Sequence, residues 1–321
     1  MSESDMAGEA GSALPVIAVF GPTASGKSAV AEAIAARIPA ELVSADSAQV
    51  YRGLPILTNQ PSVPTHLVAI WELDHEASVG EYQRLAHATI DAILERARTP
   101  VVVGGTGLYL RAALGELELP PPPAPGTRER WERLYDRLGT ARAHALLAER
   151  DPAAAVAVHP NDRRRVVRAL ELAKAGFSLR PPRDSLWAEE TRHPALIVGL
   201  EVPGETLARR IEERTRAMFE AGVEEEVRRA LAQPLSSTAR TVLGLREIAE
   251  LPCEQAIEAI AQRTRRYTAS QRKWMRRIPG LVTVGADRPP GEVADEILEM
   301  ASRRQRVPAG RARGARRAAD A

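Results

Sequence analysis

The sequence predicts an α/β protein, and three observations carry that prediction. Short, continuously apolar runs alternate with amphipathic stretches of helical period, the pattern of a parallel sheet covered on both faces. A glycine-rich turn, Gly21-x4-Gly26-Lys27-Ser28, joins the first apolar run to the first helical stretch. A proline cluster in "LELPPPPAPGTRER" then stiffens the chain and opens a region of arginine- and alanine-rich helical pattern with no strand candidate. Together they give a P-loop three-layer core with a parallel sheet and an inserted helical subdomain.

Taken in order, residues 1–14 read as a polar, disordered leader. A strand at 16–20, a helix at 26–38, a strand at 41–44, a strand near 66–71, a helix at 78–98, a strand at "PVVVGG" and a helix opening at Thr106 follow. Residues 127–178 read as helices. A strand at 195–202 resumes the sheet, with helices at 204–220, 222–232, 243–250 and 254–276, a strand at "LVTVGA" and a helix at 290–304. The expected domains are a core of 15–120 and 195–304, a helical insertion of 121–194 and a basic disordered tail of 305–321. That tail is too polar to bury; it is either a solvated end or one that adds nonspecific RNA affinity.

Composition narrows the function classes. With 321 residues, 44% of them apolar, the chain can fill a sizeable core, and a formal charge of +2 leaves the placement of charge more informative than its sum. One cysteine, Cys253, excludes an intramolecular disulfide and a cysteine-based zinc cage, and is expected to be a small, partly buried residue. "MSESDMAGEAGSALP" is polar and acidic rather than basic then apolar, and no run reaches the length of a membrane span. The expectation is a soluble cytoplasmic protein.

The glycine-rich turn is a phosphate loop. Gly21, Pro22, Thr23, Ala24, Ser25, Gly26, Lys27 and Ser28 form the loop, and its backbone N–H groups, all but that of proline, would wrap around phosphate oxygens at a helix N-terminus. Lys27 brings a compact charge to those oxygens, and Ser28 would place its hydroxyl on a magnesium ion. The pattern is specific for phosphates and silent about chemistry. In "VSADSAQVYRGL", Asp46 stands at the carboxyl end of the second strand, facing the ligand crevice; by itself it reads equally as a base, a metal ligand or a helix cap.

Together with "GPTASGKS", "VSADSAQVYRGL" and "VVVGGTGLYLRAAL", the later segments "VHPNDRRRVVRALEL", "RRIEERTRAMFEAGVEEEV", "TVLGLRE" and "RRYTASQRKWMRR" resemble, in order, the bacterial tRNA dimethylallyltransferase family. The resemblance runs from about residue 15 to 285. It implies that the phosphate loop holds the diphosphate of dimethylallyl diphosphate, not ATP, and that the dimethylallyl group moves to N6 of the adenosine adjacent to the anticodon, position 37 of tRNA. Asp46 becomes the candidate base, worth about 100- to 10,000-fold, and Lys27, the loop amides, magnesium and Arg214 would stabilise the departing diphosphate. Thr23 is implied to contact the substrate. On the RNA side the resemblance implies contacts at Asp46, Ser47, Ala48, Gln49 and Thr106, at Arg128, and at Arg164, Arg165, Val166, Val167 and Arg168. An anticodon stem-loop offers an unpaired base that can be extruded into such a crevice. A monomer with no membrane partner is expected.

Departures cluster in "YRGLPILTNQP", where Pro55, Leu57 and Gln60 stand in place of the family's aspartate, glycine and lysine, and at Arg163, in place of a proline. Two rivals stay open: a P-loop kinase of small molecules or nucleotides, and a noncatalytic tRNA-binding relative.

Overall fold

A computed structural model describes residues 14–120, 126–179 and 185–306. The leader up to residue 13, most of the proline cluster and the tail beyond Arg306 lie outside the described residues. The chain divides into two compact units, one built from residues up to Gly115 and from Glu189 onward, the other from Glu116–Ala188.

The first unit opens with β1 (Val16–Phe20), α1 (Lys27–Ala35), β2 (Ala40–Ser44), α2 (Pro55–Thr58), β3 (Thr65–His66), α3 (Val79–Glu95), β4 (Thr99–Gly104) and α4 (Gly107–Leu114). The second unit holds α5 (Thr127–Leu138), α6 (Thr140–Arg150), α7 (Pro152–Ala157) and α8 (Arg163–Lys174). The first unit then resumes with β5 (Ala195–Glu201), α9 (Gly204–Glu220), α10 (Val223–Leu231), α11 (Leu245–Glu250), α12 (Cys253–Met275), β6 (Leu281–Gly285) and α13 (Pro290–Arg306).

All six strands are parallel, in the order β3-β2-β4-β1-β5-β6. Every residue of β1 is buried, as a strand covered on both faces requires. Ile17 and Val19 enter a core with Ile34 of α1 and Ile297 of α13, while the alternate residues Ala18 and Phe20 point to the opposite face, where α3 and α4 pack. Helix starts follow local chemistry. Ser78 Oγ accepts from Glu81 N at 3.2 Å to cap α3, and Asp151 and Asp162 cap α7 and α8 through Ala154 N at 3.0 Å and Arg165 N at 3.2 Å.

The strand expected near 66–71 is reduced to Thr65–His66 and one isolated bridge between Tyr51 and Trp71. Leu67 and Ala69 take φ of 63° and 51°, a left-handed conformation that no extended ladder accommodates. Cys253 is exposed at the first turn of α12 rather than partly buried.

The helical unit has its own core, which includes Trp131, Leu147, Val166, Val167 and Leu170. Arg163 fits where the family's proline is replaced: its guanidinium donates to Asp136 at 2.9 and 2.8 Å, tying the start of α8 to α5. The same contact holds the Asp136 carboxyl below its ordinary range.

Candidate active site

Parallel strands share one polarity, so the carboxyl ends of β1, β2 and β4 open on the same edge of the sheet. The strand order reverses at β1, which lies between β4 and β5. The crevice outside this switch point gathers the loops after β1, β2 and β4, and with them most residues singled out from the sequence.

In the phosphate loop, Ser25 N bonds back to Pro22 O at 3.2 Å, and Gly26 caps α1 with φ of 87°, a conformation costly for any residue with a Cβ. Ser25 is 1% exposed, and its Oγ meets no hydrogen-bond partner among the described residues, an orphaned polar atom within a loop shaped to receive oxygens. Lys27 Nζ donates to Pro22 O at 2.8 Å, folding back across the loop. Burial pushes the Lys27 ammonium down to about 8; the Asp46 carboxylate pulls it up and the Arg214 guanidinium pushes it further down. Arg214 is itself lowered by burial, with Asp46 opposing. The tertiary fold thus brings Lys27, Asp46 and Arg214 into one electrostatic cluster.

A pH dependence follows from the sign of the Lys27 shift. The ammonium is charged below about pH 8 and neutral above it, and only the charged form attracts a phosphate anion. Titration calorimetry with the anionic donor should show Kd constant near pH 7 and rising by up to about tenfold per unit above pH 8. A flat profile to about pH 9.5, where an unperturbed lysine would still be charged, would show that Lys27 keeps an ordinary proton affinity.

On the facing loop, Asp46 Oδ1 accepts from Ala48 N at 2.9 Å, a local turn that sets the direction of the carboxylate. Ser47 N donates to Thr106 Oγ1 at 3.2 Å, and the two hydroxyls lie 3.3 Å apart, which ties the β2 loop to the β4 loop. Gln49 Oε1 accepts from Ser44 Oγ at 2.8 Å and its Nε2 donates to Asn59 O at 2.8 Å, so this amide clasps the segment that departs from the family. Gln60 donates to Tyr51 O at 2.7 Å. α2 is capped by the buried Glu226, whose two oxygens accept from Ile56 N and Leu57 N at 2.8 Å each. Pro55 at the first helical position loses no hydrogen bond there. The altered segment is therefore an anchored element.

Tyr267 of α12 also reaches this edge. The residue is 39% exposed, but its hydroxyl end is desolvated against the crevice, which pushes the hydroxyl up to about 12; the Asp46 charge pushes the same way and a hydrogen bond with Thr106 opposes both. Beneath, Tyr82 donates to Ser44 O at 2.8 Å and lies 4.3 Å, centroid to centroid, from Tyr109. Burial holds both hydroxyls above their ordinary range, so the floor under Asp46 is neutral.

The remaining predicted residues belong to the helical unit. Arg164 and Arg165 are exposed at the start of α8. Arg128 and Arg168 donate to the buried Glu171 at 3.1 Å each, so both are ion-pair partners of a core carboxylate. Val166 and Val167 are 0% and 3% exposed, and their side chains fill the core behind the arginines.

Sequence reasoning missed Gln271. This α12 residue is 2% exposed; its Oε1 accepts from Thr23 N at 2.8 Å and its Nε2 donates to Gly105 O at 2.9 Å. The available signal was its place on the buried stripe Thr264, Thr268, Gln271, Met275, because a polar side chain on a helix's inner face must find partners.

The family model for IPP transferase matches residues 49–278. The chain belongs to the IPP transferase family. A tRNA dimethylallyltransferase from Corynebacterium jeikeium (strain K411) is 39% identical over 304 residues, covering 89% of this chain and 96% of that protein. The full-length tRNA isopentenylpyrophosphate transferase of Bacillus halodurans is 30% identical with a TM-score of 0.62, covering 90% of this chain and 98% of that one. A eukaryotic dimethylallyltransferase acting on tRNA is 25% identical with a TM-score of 0.66, covering 84% of this chain and 73% of the other. Family membership thus agrees with the motif order, and the P-loop core of this IPP transferase has the parallel sheet expected of it.

Proposed function

We infer that this IPP transferase moves a dimethylallyl group from dimethylallyl diphosphate to N6 of the adenosine adjacent to the anticodon, position 37 of tRNA, and releases diphosphate. The observation that carries the reading is the cluster of Asp46 with Lys27 and Arg214 on one edge of the sheet. Two cations and the loop amides suit a leaving diphosphate, and a carboxylate beside them suits an acceptor amine that must lose a proton.

The exocyclic amine is a weak nucleophile because its lone pair is delocalised into the purine. As the N6–C1 bond forms and the C1–O bond breaks, Asp46 takes the N6 proton and the bonding electrons leave on the diphosphate. Lys27 and Arg214 face that growing charge. Thr23, on the same loop, would contact the donor. Ser28 lies in the first turn of α1, directly after the phosphate loop, where its hydroxyl would hold a magnesium ion together with substrate oxygens. When bound, magnesium supplies charge neutralisation to the diphosphate. We place the enzyme in the cytoplasm as a monomer, with tRNA and the prenyl donor as its partners; no described helix is long and apolar enough to cross a membrane.

The test is incubation with labelled dimethylallyl diphosphate and unmodified tRNA, followed by nucleoside mass analysis. Label on the anticodon-adjacent adenosine is the expected result. Brisk ATP hydrolysis without prenyl transfer would favour the phosphotransferase, and tRNA binding without transfer the noncatalytic relative.

The RNA contacts proposed in the helical unit separate by structure. Arg164→Ala and Arg165→Ala should each weaken tRNA binding and reduce its salt slope by about one while leaving the melting temperature unchanged. Arg128→Ala also breaks a pair with a buried carboxylate, and should cost about 1–2 kcal/mol of stability in addition to any loss of tRNA affinity. Equal melting curves for all three variants would contradict the role of Glu171.

A further inference from the structure

One amide joins the two sides of the crevice. Gln271 Oε1 accepts from Thr23 N at 2.8 Å and lies 3.3 Å from Thr23 Oγ1, which donates to it, while Nε2 donates to Gly105 O at 2.9 Å. The orientation of the amide is fixed, because a flipped group would set its NH2 against the Thr23 N–H and its oxygen against the Gly105 carbonyl. An added Cβ at Gly105 would lie 2.3 Å from Nε2, so glycine is needed there for the amide to approach. The next residue, Thr106, holds Ser47 and through it the loop of Asp46.

Two consequences follow. The Thr23 N–H is taken by Gln271 and is not one of the donors aimed at phosphate. The Thr23 hydroxyl proton is directed to Oε1, so its orientation and its distance from the β4 loop are set by α12.

We propose that Gln271 is a positioning residue for prenyl transfer: through one amide it fixes the separation between Thr23 on the donor side and Gly105–Thr106 on the acceptor side. It touches neither substrate. The proposal rests on the prenyl-transfer reading of this site, and its effect belongs in kcat, since transfer requires both reactants in register whereas each can bind without the other. A displacement of about 1 Å between reacting groups is enough to cost about 100-fold.

Gln271→Glu and Gln271→Met decide the matter. The glutamate keeps acceptors for Thr23 but, when ionised, has no donor for Gly105 O; protonated, it regains an O–H donor. A buried carboxyl titrates upward of its usual range, so the ratio of variant to parent activity should climb as pH falls from about 8 to about 6. Gln271→Met retains the length and lacks both functions. At pH 8 each variant should lose about 10- to 100-fold in kcat, with KM for both substrates within about threefold of the parent. Only the glutamate variant should recover on acidification. Melting curves and binding of inorganic diphosphate accompany the kinetics.

Parental kcat in both variants, a loss confined to KM, or the same pH profile in both variants would each overturn the proposal. So would collapse of folding in both, which would make Gln271 a structural residue alone. The parent enzyme is assayed in parallel: if it transfers no prenyl group, the functional reading fails, whereas an active parent with unimpaired variants removes only Gln271.

Discussion

Asp46→Asn should cut prenyl transfer by about 100- to 10,000-fold while tRNA affinity stays within about threefold of the parent. The substitution keeps an oxygen that can accept from Ala48 N, so the turn after β2 survives and the change isolates the charge. What disappears is the group able to take the proton from N6 as the new bond forms. A second effect has a defined sign. The Asp46 carboxylate raises the Lys27 ammonium from the position to which burial pushes it, so removing that charge lets Lys27 fall below about 8 and weakens donor binding at pH 8 more than at pH 6.5. Single-turnover transfer with labelled donor and calorimetric binding at those two pH values read the two effects separately. An Asp46→Asn enzyme with parental single-turnover rate would remove Asp46 from the role of base.

Lys27→Met should be the other severe variant, with kcat/KM for the donor lowered by about 100- to 1000-fold and tRNA binding unchanged. Met matches the length of the lysine stem, so the loss is that of the charge and its hydrogen bond. Before substrate arrives, Lys27 Nζ is held by Pro22 O at 2.8 Å. That contact is a carbonyl bond which phosphate oxygens can replace, and phosphate offers the stronger, charge-assisted partner. Loss of the ammonium therefore costs more in the complex than in the free protein, and more again as the diphosphate gains charge on leaving. Steady-state kinetics with varied donor check the magnitude. A change limited to KM would mean that Lys27 holds ground state and transition state equally.

The pattern of elements in the first unit was legible because strand and helix periodicities are local. Apolar runs such as "VIAVF" and the helical stripe of 79–95 each carry their own signal. The strand near 66–71 was not, because positive φ at Leu67 and Ala69 is imposed by the path of the chain and neither residue type advertises it. Val166 and Val167 were grouped with the arginines because a motif assigns a role to a whole segment, while a helix of 3.6-residue period turns part of any such run inward, and both valines lie on that inner side.

The amino-acid sequence alone determined the phosphate loop, the α/β class and the family, since these rest on residue types at short spacing and in fixed order. The family resemblance already implied one site for Asp46, Lys27 and Arg214, whose charges the fold couples; tertiary structure alone decided that Glu171 engages Arg128 and Arg168, and that Gln271 spans Thr23 and Gly105. The physical reason is range. Periodicity and turn chemistry act over a few residues, whereas desolvation and hydrogen bonding across the crevice depend on which distant side chains the sheet order brings to the same edge.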